Sequence, residues 1–257
     1  MGDEDDSTDD AVLGGRLTLR QPRRGHRFGH DAILLAAATE ARAGEHAIEL
    51  GAGVGAAGLA LAQRVPGLTL TLIEIDETLC ALARENARRN GLSDRVRVVA
   101  LDIMQGGGFA SAGFAAQCAQ HVLMNPPFND PRRQQGSPNA PRRLAHVASA
   151  ETLSRWVFEA YYLLVPSGTL TLIWRADELN RVLAIMQEWR FGAIAVLPVY
   201  PRPGAAAIRS LVRGTRDNDS APVVRFPGLT LNDADGRPSA EAEAILRGGA
   251  ALRWELC

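Results

Sequence analysis

The sequence predicts an α/β fold with a mostly parallel sheet. Short apolar runs bounded by turn residues alternate along the chain with amphipathic segments of helical length, a pattern typical of strands connected by crossover helices. A glycine-rich loop follows the first run, and an Asn-Pro-Pro turn ends the fourth. No repeat of fixed period is present, and 257 residues are enough for one large domain. We therefore expect a single α/β domain with a short N-terminal extension.

The positions of the apolar runs and turn signals define each element. Strands are predicted over 47–50, 68–75, 95–100, 121–124, 169–174, 193–200 and 206–213. Helices are predicted over 31–42, 56–64, 77–90, 150–165 and 176–189, and Trp156 falls at a core position of the fourth. A turn at 201–204 lets the last run pair back on the strand before it. The expected sheet has seven strands, the last of them antiparallel, with helices on both faces.

Charge is distributed unevenly along the chain. Residues 3–10 hold six acids and no base, so residues 1–12 are predicted to form an acidic, disordered tail. Apart from those six acids, the chain has 23 acidic residues and 28 basic ones, and all of the basic residues are arginine. Three widely spaced cysteines indicate neither a disulfide framework nor a zinc site, and no other metal site is expected. No apolar run reaches the ~18 residues of a membrane span, and the acidic start is unlike a signal peptide. These features favour a cytoplasmic protein that does not bind membranes.

The first predicted strand leads into a glycine loop containing Gly51, Gly53 and Gly55. Glycines let the backbone turn sharply and approach a ligand at the start of the next helix. The spacing Gly51, Gly53, Ala56 also fits the dinucleotide fingerprint, so a nicotinamide or flavin remains an alternative. Glu49 favours a different ligand, because a carboxylate repels a pyrophosphate but attracts a cationic group such as the ammonium of S-adenosyl-L-methionine.

Acidic residues also follow the second and third predicted strands. Glu74 lies 23 residues beyond Gly51, a position suited to binding ribose hydroxyls, and Asp76 competes for the same role. Asp102 can accept a hydrogen bond from the exocyclic amine of adenine, with Ile103 against the ring. Asp102 could equally cap its own loop, and this alternative stays open.

Asn125, Pro126, Pro127 and Phe128 end the fourth predicted strand, where ligands of open α/β sheets bind. The two prolines stiffen the backbone. The Asn125 side-chain oxygen and the Pro126 carbonyl can each accept one N–H of a planar NH2 group, which directs the nitrogen lone pair at a methyl sulfonium. Phe128 offers a face for a stacked base. This tetrapeptide predicts methyl transfer to nitrogen through positioning and electrostatics.

These motifs resemble those of class I adenosylmethionine-dependent methyltransferases, which have a Rossmann-like fold. Within that group the chain is most similar to the bacterial tRNA(Val) adenine-N6-methyltransferase family. The resemblance rests on residues 25–35, the loop 49–55, the tetrapeptide 125–128 and the segment 229–236. It implies that a cofactor-capping helix lies in the extension 13–42, that 43–257 form the methyltransferase domain, and that the antiparallel strand inserts between the fifth and sixth. The residues that it implies for cofactor binding are Arg27, Phe28, Asp31, Glu49, Gly51, Gly53, Gly55, Glu74, Asp102, Ile103 and Asn125.

Arginines follow the tetrapeptide, and the region 129–143 contains only one acid. Arg132, Arg133, Arg142 and Arg143 are predicted to contact tRNA phosphates, each adding a salt-dependent contribution to binding. A flipped base would enter beside them. A solvated loop with no RNA contact is the alternative for this segment.

The sequence leaves competing functions open. The same NH2 clamp fits a glutamine side chain, as in the methyltransferases that act on release factors, although only about 45 residues precede the first predicted strand here. A DNA adenine methyltransferase would need a target-recognition domain. A nicotinamide-dependent oxidoreductase would leave the tetrapeptide unexplained. Adenine-N6 methylation of tRNA is therefore the leading prediction, and the oligomeric state is not predicted.

Overall fold

A computed structural model describes residues 7–24, 27–127, 142–218 and 221–255, with backbone only for 142–150. The strands are β1 (Ser7–Val12), β2 (Leu17–Pro22), β3 (His46–Leu50), β4 (Thr69–Glu74), β5 (Val96–Ala100), β6 (Ala119–Met124), β7 (Leu164–Arg175), β8 (Phe191–Tyr200), β9 (Arg209–Arg216), β10 (Val224–Arg225) and β11 (Leu229–Thr230). The helices are α1 (His30–Ala38), α2 (Ala56–Arg64), α3 (Glu77–Arg89), α4 (Gly108–Ser111), α5 (Arg142–Leu163), α6 (Leu179–Glu188) and α7 (Ala240–Leu246).

The main sheet has the order β10-β8-β9-β7-β6-β3-β4-β5, and β11 also pairs with β8. Strand β9 runs antiparallel to both of its neighbours, whereas the other pairings are parallel. The mostly parallel α/β prediction is thus confirmed, as is the antiparallel strand between the fifth and sixth predicted strands.

The predicted number of strands is wrong, because the main sheet has nine strands and not seven. The additional strands, β10 and β11, contain two residues each. Segments this short carry no alternating pattern that a sequence could reveal. They also follow β9 in the chain and run parallel to β8, so the antiparallel strand is not the last one.

The prediction of a disordered tail over residues 1–12 is wrong for the second half of that segment. Residues 7–12 form β1, which pairs antiparallel with β2 from Ser7 opposite Pro22 to Val12 opposite Leu17. Arginines neutralise its acids: Asp9 accepts two hydrogen bonds of 2.6 Å from Arg89. The pKa of Asp9 is lowered to about 2, chiefly by that contact. Residues 1–6 lie outside the described residues.

Helices cover both faces of the sheet, as predicted. Because side chains alternate along a strand, Ala47 packs on one face, in a core shared with residues of α1, α2 and the N-terminal hairpin. Ile48 and Leu50 pack on the other, with residues of α5 and α6. None of the helices in the described residues is both long and apolar enough to cross a lipid bilayer.

The register of the parallel strands brings their carboxyl ends to one edge. Leu50 of β3 pairs with Ile73 of β4 and with Met124 of β6, and Glu74 pairs with Ala100 of β5. The segments that leave these strands therefore lie side by side. They contain the glycine loop, both candidate ribose acids and the start of the Asn-Pro-Pro turn.

Candidate active site

The glycine loop joins β3 to α2 with three left-handed residues. Gly51, Gly53 and Gly55 have φ angles of +68°, +56° and +86°, which side-chain-bearing residues rarely adopt. A Cβ at Gly51 would stand 2.4 Å from Trp156 Cη2, and one at Gly55 would stand 2.9 Å from Leu72 Cδ1. A Cβ at Gly53 would meet no atom within 4 Å. The loop is thus tightly packed at Gly51 and Gly55 and leaves room for a ligand at Gly53.

Glu49 lies at the penultimate position of β3 and is only 4% exposed. Its Oε2 accepts a hydrogen bond of 2.7 Å from the Gly58 amide of α2. The pKa of Glu49 is raised to about 8, chiefly by burial; the nearby charge of Glu74 adds to the rise, and the hydrogen bond from Gly58 opposes it. No basic side chain in the described part of the chain forms an ion pair with Glu49. This carboxyl group is therefore suited to a cationic ligand.

Glu74 ends β4 and holds the two neighbouring turns in place. Its Oε1 accepts hydrogen bonds from the amides of Ile75 at 2.7 Å and Asp76 at 3.0 Å, and its Oε2 accepts one from the Gly53 amide at 2.8 Å. A carboxylate offers about four acceptor positions, so one remains for a hydroxyl group. Asp76, the competing candidate, is the N-cap of α3 and accepts from the amides of Thr78 and Leu79. Glu74 is therefore the better placed of the two for a ligand.

The segment after β5 gives a mixed result. Asp102 is half-buried and its Oδ1 accepts a hydrogen bond of 2.8 Å from the Met104 amide, so it caps its own loop, the alternative left open by the sequence. Ile103 is 5% exposed and packs in the core. Ile75, which sequence reasoning missed, is 64% exposed directly after Glu74. An apolar residue following a candidate ribose acid at a strand end was the signal that could have identified it.

The predicted capping residues contact other parts of the fold. Arg27 donates hydrogen bonds to Asp10 Oδ2 at 2.8 Å and to the Pro22 carbonyl at 2.8 Å. Phe28 packs partly buried against the core below α1. Asp31, in the first turn of α1, accepts a hydrogen bond of 2.8 Å from Arg209 Nε at the start of β9. The structure thus fixes these residues between the N-terminal hairpin and β9, and a direct contact with a cofactor stays a prediction.

Asn125 follows β6 beside the glycine loop. Its Oδ1 is buried and has no hydrogen-bond partner among the residues that the structure describes. Because an unpaired buried acceptor is costly, this oxygen is suited to a ligand donor. Pro126 is buried and Pro127 is exposed.

Five predicted substrate-side residues cannot be placed. Phe128, Arg132 and Arg133 lie outside the described residues. Arg142 and Arg143 begin α5, but their side chains also lie outside the description. Their roles in stacking and in RNA binding stay predictions.

The edge of the sheet therefore combines three features: two buried carboxyl groups, an open space above Gly53, and, one strand away, an amide oxygen without a partner in the described part of the chain. A ligand that carries a cationic group and hydroxyl groups suits the first two features. An NH2 group hydrogen-bonded to Asn125 would lie next to that ligand. This arrangement suits the transfer of a group from a bound cofactor to a nitrogen atom.

Comparison with known proteins agrees with this geometry. The sequence profile of the methyltransferase small domain family matches residues 28–195. A tRNA1(Val) (adenine(37)-N6)-methyltransferase from Dickeya chrysanthemi is 28% identical over 92% of this chain and 94% of its own length. The enzyme of the same name from Bacteroides thetaiotaomicron is 27% identical over 79% and 83%.

Among solved structures, a predicted O-methyltransferase from Agrobacterium tumefaciens aligns with a TM-score of 0.72 and 26% identity, covering 86% of this chain and 98% of that one. The fold, the glycine loop and the family profile, which spans more than half of the sequence, lead to one conclusion. The chain belongs to the methyltransferase small domain family.

Proposed function

We propose that the protein transfers a methyl group from S-adenosyl-L-methionine to N6 of an adenine in tRNA. The observation that carries the proposal is the buried Oδ1 of Asn125 at the carboxyl end of β6, which has no hydrogen-bond partner among the residues that the structure describes. The relatives named for adenine 37 of tRNA1(Val) support the same substrate. A tRNA substrate also favours a cytoplasmic location.

The residues at the glycine loop fit adenosylmethionine. Gly53 leaves room for a ligand above the loop, Glu49 is a buried carboxyl group with no cationic partner within the described ranges, and Glu74 has one acceptor position left. We assign the cationic amino-acid end to Glu49, the ribose hydroxyls to Glu74, and the adenine edge to Asp102 and Ile75. When bound, the cofactor supplies an electrophilic methyl group on a sulfonium. The site needs no metal ion for this chemistry.

The chain's own contribution to transfer is positioning. Asn125 Oδ1 accepts one N–H of the target amine, and the Pro126 carbonyl accepts the other. Two acceptors on one NH2 group draw its lone pair out of conjugation with the ring and fix its direction. Because the amine loses its proton only after transfer, no strong base is needed, and the rate gain comes from orientation and electrostatics.

Arginines before and after the tetrapeptide would hold the RNA. Arg23 and Arg24, just after β2, are exposed and available for phosphate contacts. Together with Arg132, Arg133, Arg142 and Arg143, they would give RNA binding a steep dependence on salt concentration.

The proposal is tested by incubating the purified protein with labelled adenosylmethionine and three acceptors in parallel: total tRNA, release factor and bulk protein. Label recovered in tRNA as N6-methyladenosine is the expected result. Label in release factor alone would contradict the proposal and favour protein-glutamine methylation instead. Binding of NAD with no binding of adenosylmethionine, measured by calorimetry, would refute the methyltransferase chemistry.

A further inference from the structure

The N-terminal hairpin, formed by β1 and β2, docks on α3 through two asparagine side chains. Asn86 Oδ1 accepts a hydrogen bond of 2.7 Å from the Arg20 amide of β2, and Asn86 Nδ2 donates one of 2.9 Å to the Arg20 carbonyl. One helical turn further on, Asn90 makes the same pair of bonds with the amide and the carbonyl of Thr18, at 2.9 and 2.8 Å. The two side-chain amides thus take the place of a neighbouring strand at the edge of β2 opposite β1.

The spacing of the two asparagines explains this docking. Residues four apart lie on one face of a helix and are separated by ~6 Å along its axis. Residues two apart on a strand turn their backbone groups to the same edge and are separated by ~6.6 Å. Asn86 and Asn90 therefore match Arg20 and Thr18 in position, which fixes the register of the hairpin on α3.

Asn86 has a further partner in the glycine loop. Its Nδ2 also donates a hydrogen bond of 3.0 Å to the carbonyl of Val54, the residue between Gly53 and Gly55. Asn86 is completely buried, and both of its N–H donors are used in these contacts. The other N–H of Asn90 donates to the Asn86 carbonyl within α3, at 2.7 Å. Of the two asparagines, Asn86 is therefore the one that joins the hairpin to the loop.

A loop with three glycines benefits from such a contact, because glycine has the largest backbone freedom to lose. Glu74 Oε2 holds the loop at the Gly53 amide, and Asn86 Nδ2 holds it at the Val54 carbonyl. The two bonds lie on either side of the Gly53–Val54 peptide, where a Cβ at Gly53 would meet no atom within 4 Å. A loop that is held in its binding conformation before the ligand arrives loses less entropy when it binds.

We propose that Asn86 is a positioning residue for the cofactor, and that its side-chain amide couples the docking of the N-terminal hairpin to the conformation of the glycine loop. The inference rests on the proposed function only for the identity of the cofactor. Asn86 acts through the Val54 carbonyl and does not touch the ligand. Because coupling between two sites is reciprocal, bound cofactor strengthens the docking of the hairpin on α3.

Matched substitutions test the proposal. Asn86→Ala and Asn90→Ala each remove three hydrogen bonds, two of them to β2, but only the first removes the contact with Val54. Both variants should unfold at lower urea concentration than the wild type. By calorimetry, Asn86→Ala should bind adenosylmethionine about 5- to 150-fold more weakly than the wild type, the range typical of coupling between sites, and Asn90→Ala should bind it within about twofold of the wild type.

A merely structural role of Asn86 would lower stability and leave the cofactor affinity of the folded variant unchanged. That result, or an equal loss of affinity in the two variants, would overturn the inference.

Hydrogen exchange in the wild type supplies a second measurement. The amides of Thr18 and Arg20 are bonded to the two asparagines, so they exchange when the hairpin leaves α3. Saturating adenosylmethionine should slow their exchange by the same factor of about 5 to 150, beyond any slowing of the β8–β9 amides, which report on opening of the main sheet. In Asn86→Ala, this extra slowing should disappear at the Thr18 amide, which keeps its partner.

Two results of the exchange experiment would overturn the inference. The absence of extra slowing in the wild type would do so even if Asn86→Ala does not fold. Extra slowing that persists in folded Asn86→Ala would assign the coupling to another contact, such as that between Arg27 and Asp10.

The proposed function and the inference fail in different ways. A wild type that binds no adenosylmethionine refutes both. Weaker binding by Asn86→Ala beside wild-type binding by Asn90→Ala supports the inference even when the methylated acceptor is release factor, a result that refutes the proposed tRNA substrate alone.

Discussion

Replacing Glu49 by glutamine is expected to weaken cofactor binding and, at the same time, to stabilise the ligand-free protein. The amide oxygen of glutamine can still accept the 2.7 Å hydrogen bond from the Gly58 amide, so the local structure should persist. What the variant loses is a carboxyl group whose pKa is raised to about 8 by burial and by the charge of Glu74. The two effects have opposite signs, which excludes simple misfolding as their common cause.

The stability effect follows from proton linkage. The ordinary pKa of the carboxyl group is 4.5, and in the folded protein it is about 8, so the folded state holds a proton that the unfolded state releases. The contribution of Glu49 to stability is therefore full below pH 4.5 and falls by about 1.4 kcal/mol per pH unit as the pH rises to about 8. Urea unfolding at pH 5, 6.5 and 8 should show this fall in the wild type and a smaller one in Glu49→Gln.

The binding effect has the reverse dependence on pH. A cationic ligand needs the ionised carboxylate, so adenosylmethionine affinity of the wild type should rise by up to tenfold per pH unit between pH 6 and 7.5. Calorimetry on Glu49→Gln should give weaker binding with a flatter profile. Glu45→Gln is the matched control, because Glu45 precedes the other end of β3 and pairs with His121; it should keep the wild-type slope. A wild-type affinity independent of pH, or a glutamine variant that binds as tightly as the wild type, would refute the reasoning.

Three further predictions follow from the site. Asn125→Ala should lower kcat for methyl transfer by several orders of magnitude and leave cofactor affinity almost unchanged, and a surviving kcat would contradict the clamp. Gly51→Ala should lower the free energy of unfolding by about 2–5 kcal/mol, because of left-handed backbone strain and the clash with Trp156. Gly53→Ala should lower it by only about 1–2 kcal/mol but should weaken cofactor binding. Equal unfolding midpoints of the two variants would contradict this contrast. The last prediction concerns Arg132, Arg133, Arg142 and Arg143. Their joint replacement by glutamine should weaken RNA binding and flatten its dependence on salt, and an unaltered slope would restore the solvated-loop alternative.

The fold was predictable because its signals are local. Strand and helix periods, the turn signals and the glycine loop each lie within a few neighbouring residues. The same reliance on local pattern explains the error at the N-terminus. The acids of β1 look like a solvated tail until Asp9 meets Arg89, 80 residues further along the chain. A contact over that separation has no signature in a single sequence.

The residue types at the carboxyl edge of the sheet were predictable, whereas their contacts were less so. Glu49, Glu74 and Asn125 were predicted because acids and amides at strand ends suggest ligands; the structure brings them to one edge of the sheet, and their binding of a ligand stays a prediction. That Asp102 caps its own loop was only one of two sequence-based alternatives. The packing of Trp156 in the core was expected from its helical position, and the structure confirms it.

The most direct test of the central claim is nucleoside mass spectrometry of tRNA1(Val) taken from a strain that lacks the gene and treated with the purified protein and adenosylmethionine. We expect one N6-methyladenosine per molecule, at adenine 37, with the wild type and none with Asn125→Ala. An unmodified tRNA under conditions in which the protein binds adenosylmethionine, or equal modification by the Asn125→Ala variant, would contradict it.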